Sequence, residues 1–154
     1  MNPQEIPSLD IFANTLPIQI RFSDVDVIGH VNNIVYFQYY DTGKAAFMTE
    51  LLGRSISWQE VDTVVANVDC AFIAPIFWGE KIDVLTTCTF IHDKSFRLLQ
   101  MLRNPESGEV KSICETVMVS FDPDTQKAAP LSEEWRTKLT QCIAGLKKSK
   151  EGDK

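Results

Sequence analysis

Past Ser57 the apolar residues of this chain change from a helical to an extended spacing and keep it as far as Phe121, which limits the possible folds more than any other feature. Val64, Ala66, Val68, Cys70 and Phe72 alternate with polar residues such as Asn67 and Asp69 until Pro75 to Gly79 breaks the run. Ile82, Val84, Cys88 and Phe90 mark a second run, Phe96, Leu98 and Leu102 a third, and Val110 to Phe121 a fourth. Successive strands with short connections predict an antiparallel meander. Ahead of it, Ile18, Ile20 and Phe22 alternate with Gln19, Arg21 and Ser23, which predicts one more strand ending at Asp24. Ile34 to Leu52 lacks proline, spaces its apolar residues as a helix does, and is followed by Gly53, a residue suited to a C-cap. After a loop over Asp122 to Pro130, Ser132 is placed to cap a final helix.

This order predicts an α+β domain in which a long helix lies across the concave face of a curled antiparallel sheet, with a short C-terminal helix. The expected divisions are a loose N-terminal segment over 1–16, one domain over 17–145 and a charged tail over 146–154. The outer face and edges of such a sheet need cover, so a homo-oligomer is expected, dimer or tetramer.

Composition removes several function classes. Lys plus Arg total 15 against 21 Asp plus Glu, a formal net charge of -6, so an extended nucleic-acid surface is not expected. No apolar run is long enough to cross a bilayer, and Met1 to Asp10 lacks the basic and apolar regions of a leader; a cytoplasmic protein with no membrane partner is expected. Cys70, Cys88, Cys114 and Cys142 show no C-x-x-C spacing, and His30 and His92 stand far apart. No metal site is expected, and the cysteines read as free thiols, some of them core fillers. Neither a G-x-S-x-G elbow nor a phosphate-binding glycine loop is present.

The densest polar cluster is Arg21-Phe22-Ser23-Asp24-Val25-Asp26-Val27-Ile28-Gly29-His30-Val31-Asn32-Asn33, at the passage from strand to helix. A helix N-terminus presents unpaired N–H groups and partial positive charge, which can polarise a carbonyl oxygen while a nearby carboxylate attacks or activates water. Asp and Asn are also the residues of turns and caps, so from composition alone the same stretch reads as a cap and loop.

Arg21-Phe22-Ser23-Asp24-Val25-Asp26, followed by Gly29-His30-Val31-Asn32-Asn33 and Tyr36, resembles the signature of the hotdog-fold acyl thioesterases of the 4-hydroxybenzoyl-CoA thioesterase type. Cys70 to Pro75, Gly79-Glu80 and Ser95-Phe96-Arg97 extend the likeness over roughly residues 17 to 125. The resemblance implies one helix wrapped by an antiparallel sheet and hydrolysis of a thioester to a free acid and coenzyme A, without metal or redox cofactor. It implies that Asp26 is the catalytic carboxylate, as nucleophile or general base, with Asp24 at a position more often structural. Gly29 and His30 match the turn where backbone donors meet the thioester oxygen; His30 is a candidate to bond substrate or order water, or else to cap the helix. Asn33, Tyr36 and Phe72 are the further substrate-binding candidates. Ile28 stands where related carrier-protein thioesterases have Asn, which favours an acyl-CoA substrate; Asp26 and His30 are four apart rather than five, which disfavours dehydration. A non-catalytic acyl-thioester binding module and a carrier-protein thioesterase are the rival readings.

Wound at about 100° per residue, Tyr36, Phe37, Tyr40, Phe47, Met48 and Leu51 share one arc of the helix that also holds Asp41 and Lys44. These two charges are expected to pair across one turn, and Gly43 to permit close approach to the sheet or a neighbouring subunit. His92 is expected in a solvated turn, and Trp58, Trp78 and Trp135 in core or interface.

Overall fold

A computed structural model describes residues 5–57 and 61–152, so Trp58 lies outside the described residues. The elements are β1 (Asn14–Ile18), α1 (Asn33–Leu52), β2 (Thr63–Phe72), β3 (Ile82–Ile91), β4 (Ser95–Arg103), β5 (Val110–Ser120) and α2 (Glu133–Gly152). The strands form one antiparallel sheet in the order β1-β3-β4-β5-β2. Both helices pack on one face of it, giving the α+β arrangement expected.

Two details differ from the expectations. The first strand ends at Ile18 and starts ahead of Pro17, because its register pairs Ile18 with Ile82, the first residue of β3. Beyond Ile18 there is no strand left to pair with; the chain leaves the sheet and Phe22, expected on a buried face, is 81% exposed. Pro17 is tolerated because β1 is an edge strand. The meander is also shorter than expected. β3, β4 and β5 follow one another, but β2 pairs with β5 at the far edge, since β1 and β4 already occupy both sides of β3. The segment between β2 and β3 is therefore a crossover rather than a hairpin, turned by Pro75 and by Gly79 at φ +90°.

Helix α1 starts at an Asn32 cap, whose side chain accepts the Ile34 N–H at 3.0 Å, and ends at Gly53, left-handed at φ 70°. Its buried residues are Tyr36, Tyr39, Tyr40, Gly43, Lys44 and Phe47. A Cβ on Gly43 would lie 2.7 Å from Val84 Cγ2 and 2.9 Å from Cγ1, so glycine brings the helix down onto β3 as expected. Gln100 Nε2 donates to the Tyr40 carbonyl at 2.9 Å, and the Tyr40 hydroxyl donates to Ser112 Oγ at 2.7 Å, fixing the crossing. Lys44 does pair with Asp41, at 2.8 Å, but only Lys44 is buried; Asp41 stands at the rim with its side chain 73% exposed.

The far half of the core joins Phe47 to Phe96, Trp135 and Leu139, each burial of this size contributing roughly 1.5–3 kcal/mol. Trp135 stacks on Phe96 at 6.2 Å, and Ser132 Oγ accepts the Trp135 N–H at 3.2 Å as the cap of α2. On the opposite face of the sheet Leu85, Met101 and Ile113 share one row of the register, and Ile11 and Phe12 pack against them. The α2 backbone continues to Gly152.

Candidate active site

Between Arg21 and α1 the two aspartates have different surroundings. Asp24 closes the 3-10 turn Phe22–Asp24: its Oδ2 accepts the Arg21 N–H at 2.8 Å and the Tyr39 hydroxyl at 2.7 Å, and its carbonyl accepts the Asn32 N–H at 2.9 Å. It is buried, and burial together with this carboxylate holds the Tyr39 phenol protonated far above its ordinary range. Asp26 is exposed. Its Oδ1 accepts the Ile28 N–H at 3.0 Å, and among the described residues Oδ2 accepts no hydrogen bond.

Asp26 opens a tight turn pinned at its neck by a bridge between Val25 and Val31. Within it the Asp26 N–H donates to the His30 carbonyl at 2.8 Å and the Gly29 N–H to the Asp26 carbonyl at 3.0 Å. Gly29 has φ +82°, a conformation glycine adopts without strain. The Val31 N–H donates to Ile76 O at 2.8 Å. With the Asn32 bond to Asp24, three of the five N–H groups from Gly29 to Asn33 are engaged within the chain; those of His30 and Asn33 carry no hydrogen bond among the described residues. The helix cap is Asn32 rather than His30, whose ring stands edge-on to Phe77 at 4.7 Å.

The segment Ile76–Trp78 is the wall behind this turn. It bridges to His30, and the Trp78 N–H reaches the Gly29 carbonyl at 3.4 Å. Glu80 holds the wall by accepting the Phe77 N–H at 2.7 Å on Oε2, while its Oε1 takes Lys111 Nζ at 2.9 Å and Asn104 Nδ2 at 3.1 Å. Lys111 also bonds Glu109 and, at 3.0 Å, the Pro75 carbonyl. Burial alone would raise the Glu80 carboxyl, but the Phe77 N–H, Lys111 and Asn104 outweigh it and hold it below the ordinary value. Neither Lys111 nor Tyr39 was singled out from the sequence. The usable signal for Lys111 was a single charge in an otherwise uncharged strand stretch, Val110 to Cys114, with acidic partners at Glu80 and Glu109.

Of the candidates, Asp26, Gly29 and His30 share the turn and Asn33 begins α1. Tyr36 and Phe72 meet separately, ring to ring at 5.2 Å, with Phe37 6.2 Å from Phe72. The Tyr36 hydroxyl donates to Ala74 O at 3.4 Å. Beside them Cys70 Sγ lies 3.4 Å from Ser112 Oγ. Cys114, its cross-strand partner, and Ser112 hold the Cys70 thiol below its ordinary value, and Cys114 is pushed up in turn. Among the described residues no group of three or more His, Cys, Asp or Glu side chains is placed to hold a metal ion, and no helix is long and apolar enough to cross a membrane.

A curled antiparallel sheet with α1 laid across it and a carboxylate-bearing turn at the N-terminus of that helix define the hotdog class. The family model described as the thioesterase-like superfamily matches residues 20–139, and the chain belongs to that superfamily. It is similar to the uncharacterized protein YsmA of Bacillus subtilis (strain 168), 26% identical over 122 residues, 79% of this chain and 82% of that protein. It is also similar to the long-chain acyl-CoA thioesterase FadM of Escherichia coli (strain K12), 26% identical over 129 residues, 82% of this chain and 96% of FadM. Among solved structures, a thioesterase from Thermus thermophilus complexed with coenzyme A and Zn superposes with a TM-score of 0.74 at 26% identity, covering 83% of this chain and 98% of that one.

Proposed function

We propose that the chain hydrolyses an acyl-CoA thioester to a carboxylic acid and coenzyme A, with Asp26 as the catalytic residue. The observation that carries this reading is the division of labour between the two aspartates: Asp24 is buried and bonded, while Asp26 is exposed and keeps one oxygen open. In the general-base route Asp26 takes a proton from water, the hydroxide adds to the thioester carbon, and the C–S bond breaks to release coenzyme A, which recovers the proton. In the nucleophilic route Asp26 itself adds, coenzyme A leaves, and water then cleaves the resulting anhydride. The unengaged N–H groups of His30 and Asn33 are the donors available to the developing oxyanion. His30 orients water or substrate with Phe77 behind its ring, and Gly29 gives the turn its shape. Placement with the 4-hydroxybenzoyl-CoA type rests on the Arg21 to Tyr36 motif, which speaks to the chemistry and not to the acyl group. The protein named FadM supports an acyl-CoA substrate, and a cytoplasmic setting agrees with such a substrate.

Asp26→Asn tests the assignment, since the amide retains an oxygen to accept the Ile28 N–H. Thiol release from an acyl-CoA panel should fall roughly 10²–10⁴-fold with unchanged thermal unfolding. Full activity on a substrate that the parent hydrolyses sinks the role of Asp26. Binding of acyl-CoA without thiol release from any member of the panel selects the binding-module reading instead.

We infer also that the working unit is a homo-oligomer, at least a dimer. The edge strand β2 keeps Val64, Val65, Val68 and Phe72 between 41% and 46% exposed, on both faces at once, which an isolated chain leaves uncovered. Light scattering giving the mass of a single chain at micromolar concentration overturns this.

A further inference from the structure

Lys111 is the extra residue of a bulge in β5. The register with β4 steps from Leu102 opposite Ser112 to Arg103 opposite Val110, and β2 ends opposite Ser112. Neither neighbouring strand pairs with Lys111, so its backbone is free for another partner. Its carbonyl accepts the Ile73 N–H at 2.9 Å and the Ala74 N–H at 3.1 Å, from the first residues past β2. Its side chain reaches the same segment: Nζ donates to the Pro75 carbonyl at 3.0 Å and pairs with Glu80 Oε1 at 2.9 Å and with Glu109. These partners use all three ammonium donors. One residue of β5 thus holds the crossover 73–80 at its start through the backbone and at its end through Glu80.

The Asp26 turn hangs on that crossover. Ala74 O accepts the Tyr36 hydroxyl at 3.4 Å and Ile76 O the Val31 N–H at 2.8 Å. Phe77 bridges to His30 and stands edge-on to its ring, and the Trp78 N–H reaches Gly29 O at 3.4 Å. Glu80 ties the stretch to itself by accepting the Phe77 N–H at 2.7 Å. The N–H groups of His30 and Asn33, which carry no hydrogen bond among the described residues, point where these contacts hold Gly29, His30 and Val31. An ammonium with 1% exposure is a costly anchor, since a buried ion pair adds little stability over apolar residues of similar volume. What it adds is direction. Apolar packing would keep the crossover on the sheet, whereas an ammonium with three fixed acceptors sets its height above the sheet as well.

We propose that Lys111, acting with Glu80, is a positioning residue for thioester hydrolysis: it fixes the crossover 73–80 against the Asp26 turn and so aims the His30 and Asn33 N–H groups at the developing oxyanion. The proposal rests on the thioesterase reading and adds to it a residue buried behind the turn, on the opposite side of the crossover. Loss of the tie should therefore slow the chemical step more than it weakens substrate binding.

The test removes the tie without leaving a buried charge. Lys111→Met combined with Glu80→Gln keeps the net charge and an amide oxygen for the Phe77 N–H, and Glu109, its side chain 54% exposed, can turn to water. The substrate is whichever member of a panel from acetyl-CoA to palmitoyl-CoA and benzoyl-CoA the parent turns over fastest. For it kcat should fall roughly 10–100-fold while KM stays within about 3-fold, the pattern of a misplaced site. Hydrogen exchange followed by mass spectrometry should speed up in peptides covering residues 26–33 and stay as in the parent over α2. Glu80→Gln alone should move kcat and the same peptides in the same direction, and it decides the matter if the double variant does not fold. Unchanged kcat per folded molecule, or a rise in KM alone, overturns the positioning role and leaves Lys111 a structural residue. A fall in kcat with unaltered exchange over 26–33 overturns it too. If no acyl-CoA in the panel releases thiol from the parent while exchange over 26–33 still responds to the variants, the tie to the turn stands and the hydrolase reading falls.

Discussion

Tyr39 donates its phenolic hydrogen to Asp24 across 2.7 Å in the buried layer beneath the candidate turn. The bond explains how two aspartates two residues apart come to differ: one is a structural acceptor and the other is left open to solvent. Tyr39→Phe should therefore cost about 1.5–3 kcal/mol, the range for a hydrogen bond to a charged group, measured by urea unfolding. Turnover per folded molecule should stay within a few-fold of the parent. A large fall in kcat with unchanged stability contradicts the structural role of Asp24.

Gly43→Ala sets two effects against each other. Alanine favours a helix interior by about 1 kcal/mol, but its Cβ would stand 2.7 Å from Val84 Cγ2, and overpacking of this kind costs about 1–3 kcal/mol. The clash should win, because the sheet below is held by the Tyr40 and Gln100 bonds and cannot give way freely. A lower urea midpoint with unchanged slope is expected; a gain in stability contradicts the close approach.

Cys70 should be the thiol that reacts first. Its cross-strand neighbours Cys114 and Ser112 hold its thiol below the ordinary value, while burial pushes Cys88 up to about 12 and raises Cys142. Mass spectrometry after brief iodoacetamide treatment at neutral pH should find the label on Cys70 ahead of the other three. Cys114→Ala, which removes the neighbouring donor, should slow that labelling; labelling led by Cys142 contradicts the ordering.

The Glu80 network gives stability a definite pH dependence. The folded-state carboxyl sits below its ordinary 4.5, so the unfolded chain binds the proton more readily. The contribution is complete above 4.5 and is lost as pH falls through the lower folded value. Glu80→Gln should flatten the acid limb of the stability curve and lower stability at neutral pH, because Lys111, 1% exposed, keeps only Glu109 as its counter-charge. An unchanged acid limb in that variant shows that Glu80 does not supply it.

The helix ends, the Gly43 approach and the Asp41–Lys44 pair could be read from the residues because each is set within a few positions along one element. Gly53 follows the last apolar residue of α1, and Lys44 lies one turn from Asp41. The place of β2 was not legible in the same way: nothing local in Val64–Phe72 says whether its partner is β3 or β5, since either would satisfy the same alternation. The Glu80–Lys111 tie was hidden for the same reason, as its members come from a crossover and from the last strand. In the site, motif and spacing pointed to the Asp26 turn, but which backbone donors remain open depends on Ile76, a residue brought in by that crossover.

The pairing of β2 with β5 also orders events in time. Cys70 waits for Cys114, and Phe72 for Ser112, so the strand made first after the helix is among the last that can find its place. During synthesis its apolar face must stand unpaired until nearly the whole chain has emerged. A protein built this way leaves an apolar strand unpaired for a long interval, and premature termination anywhere before β5 leaves that strand with no partner at all.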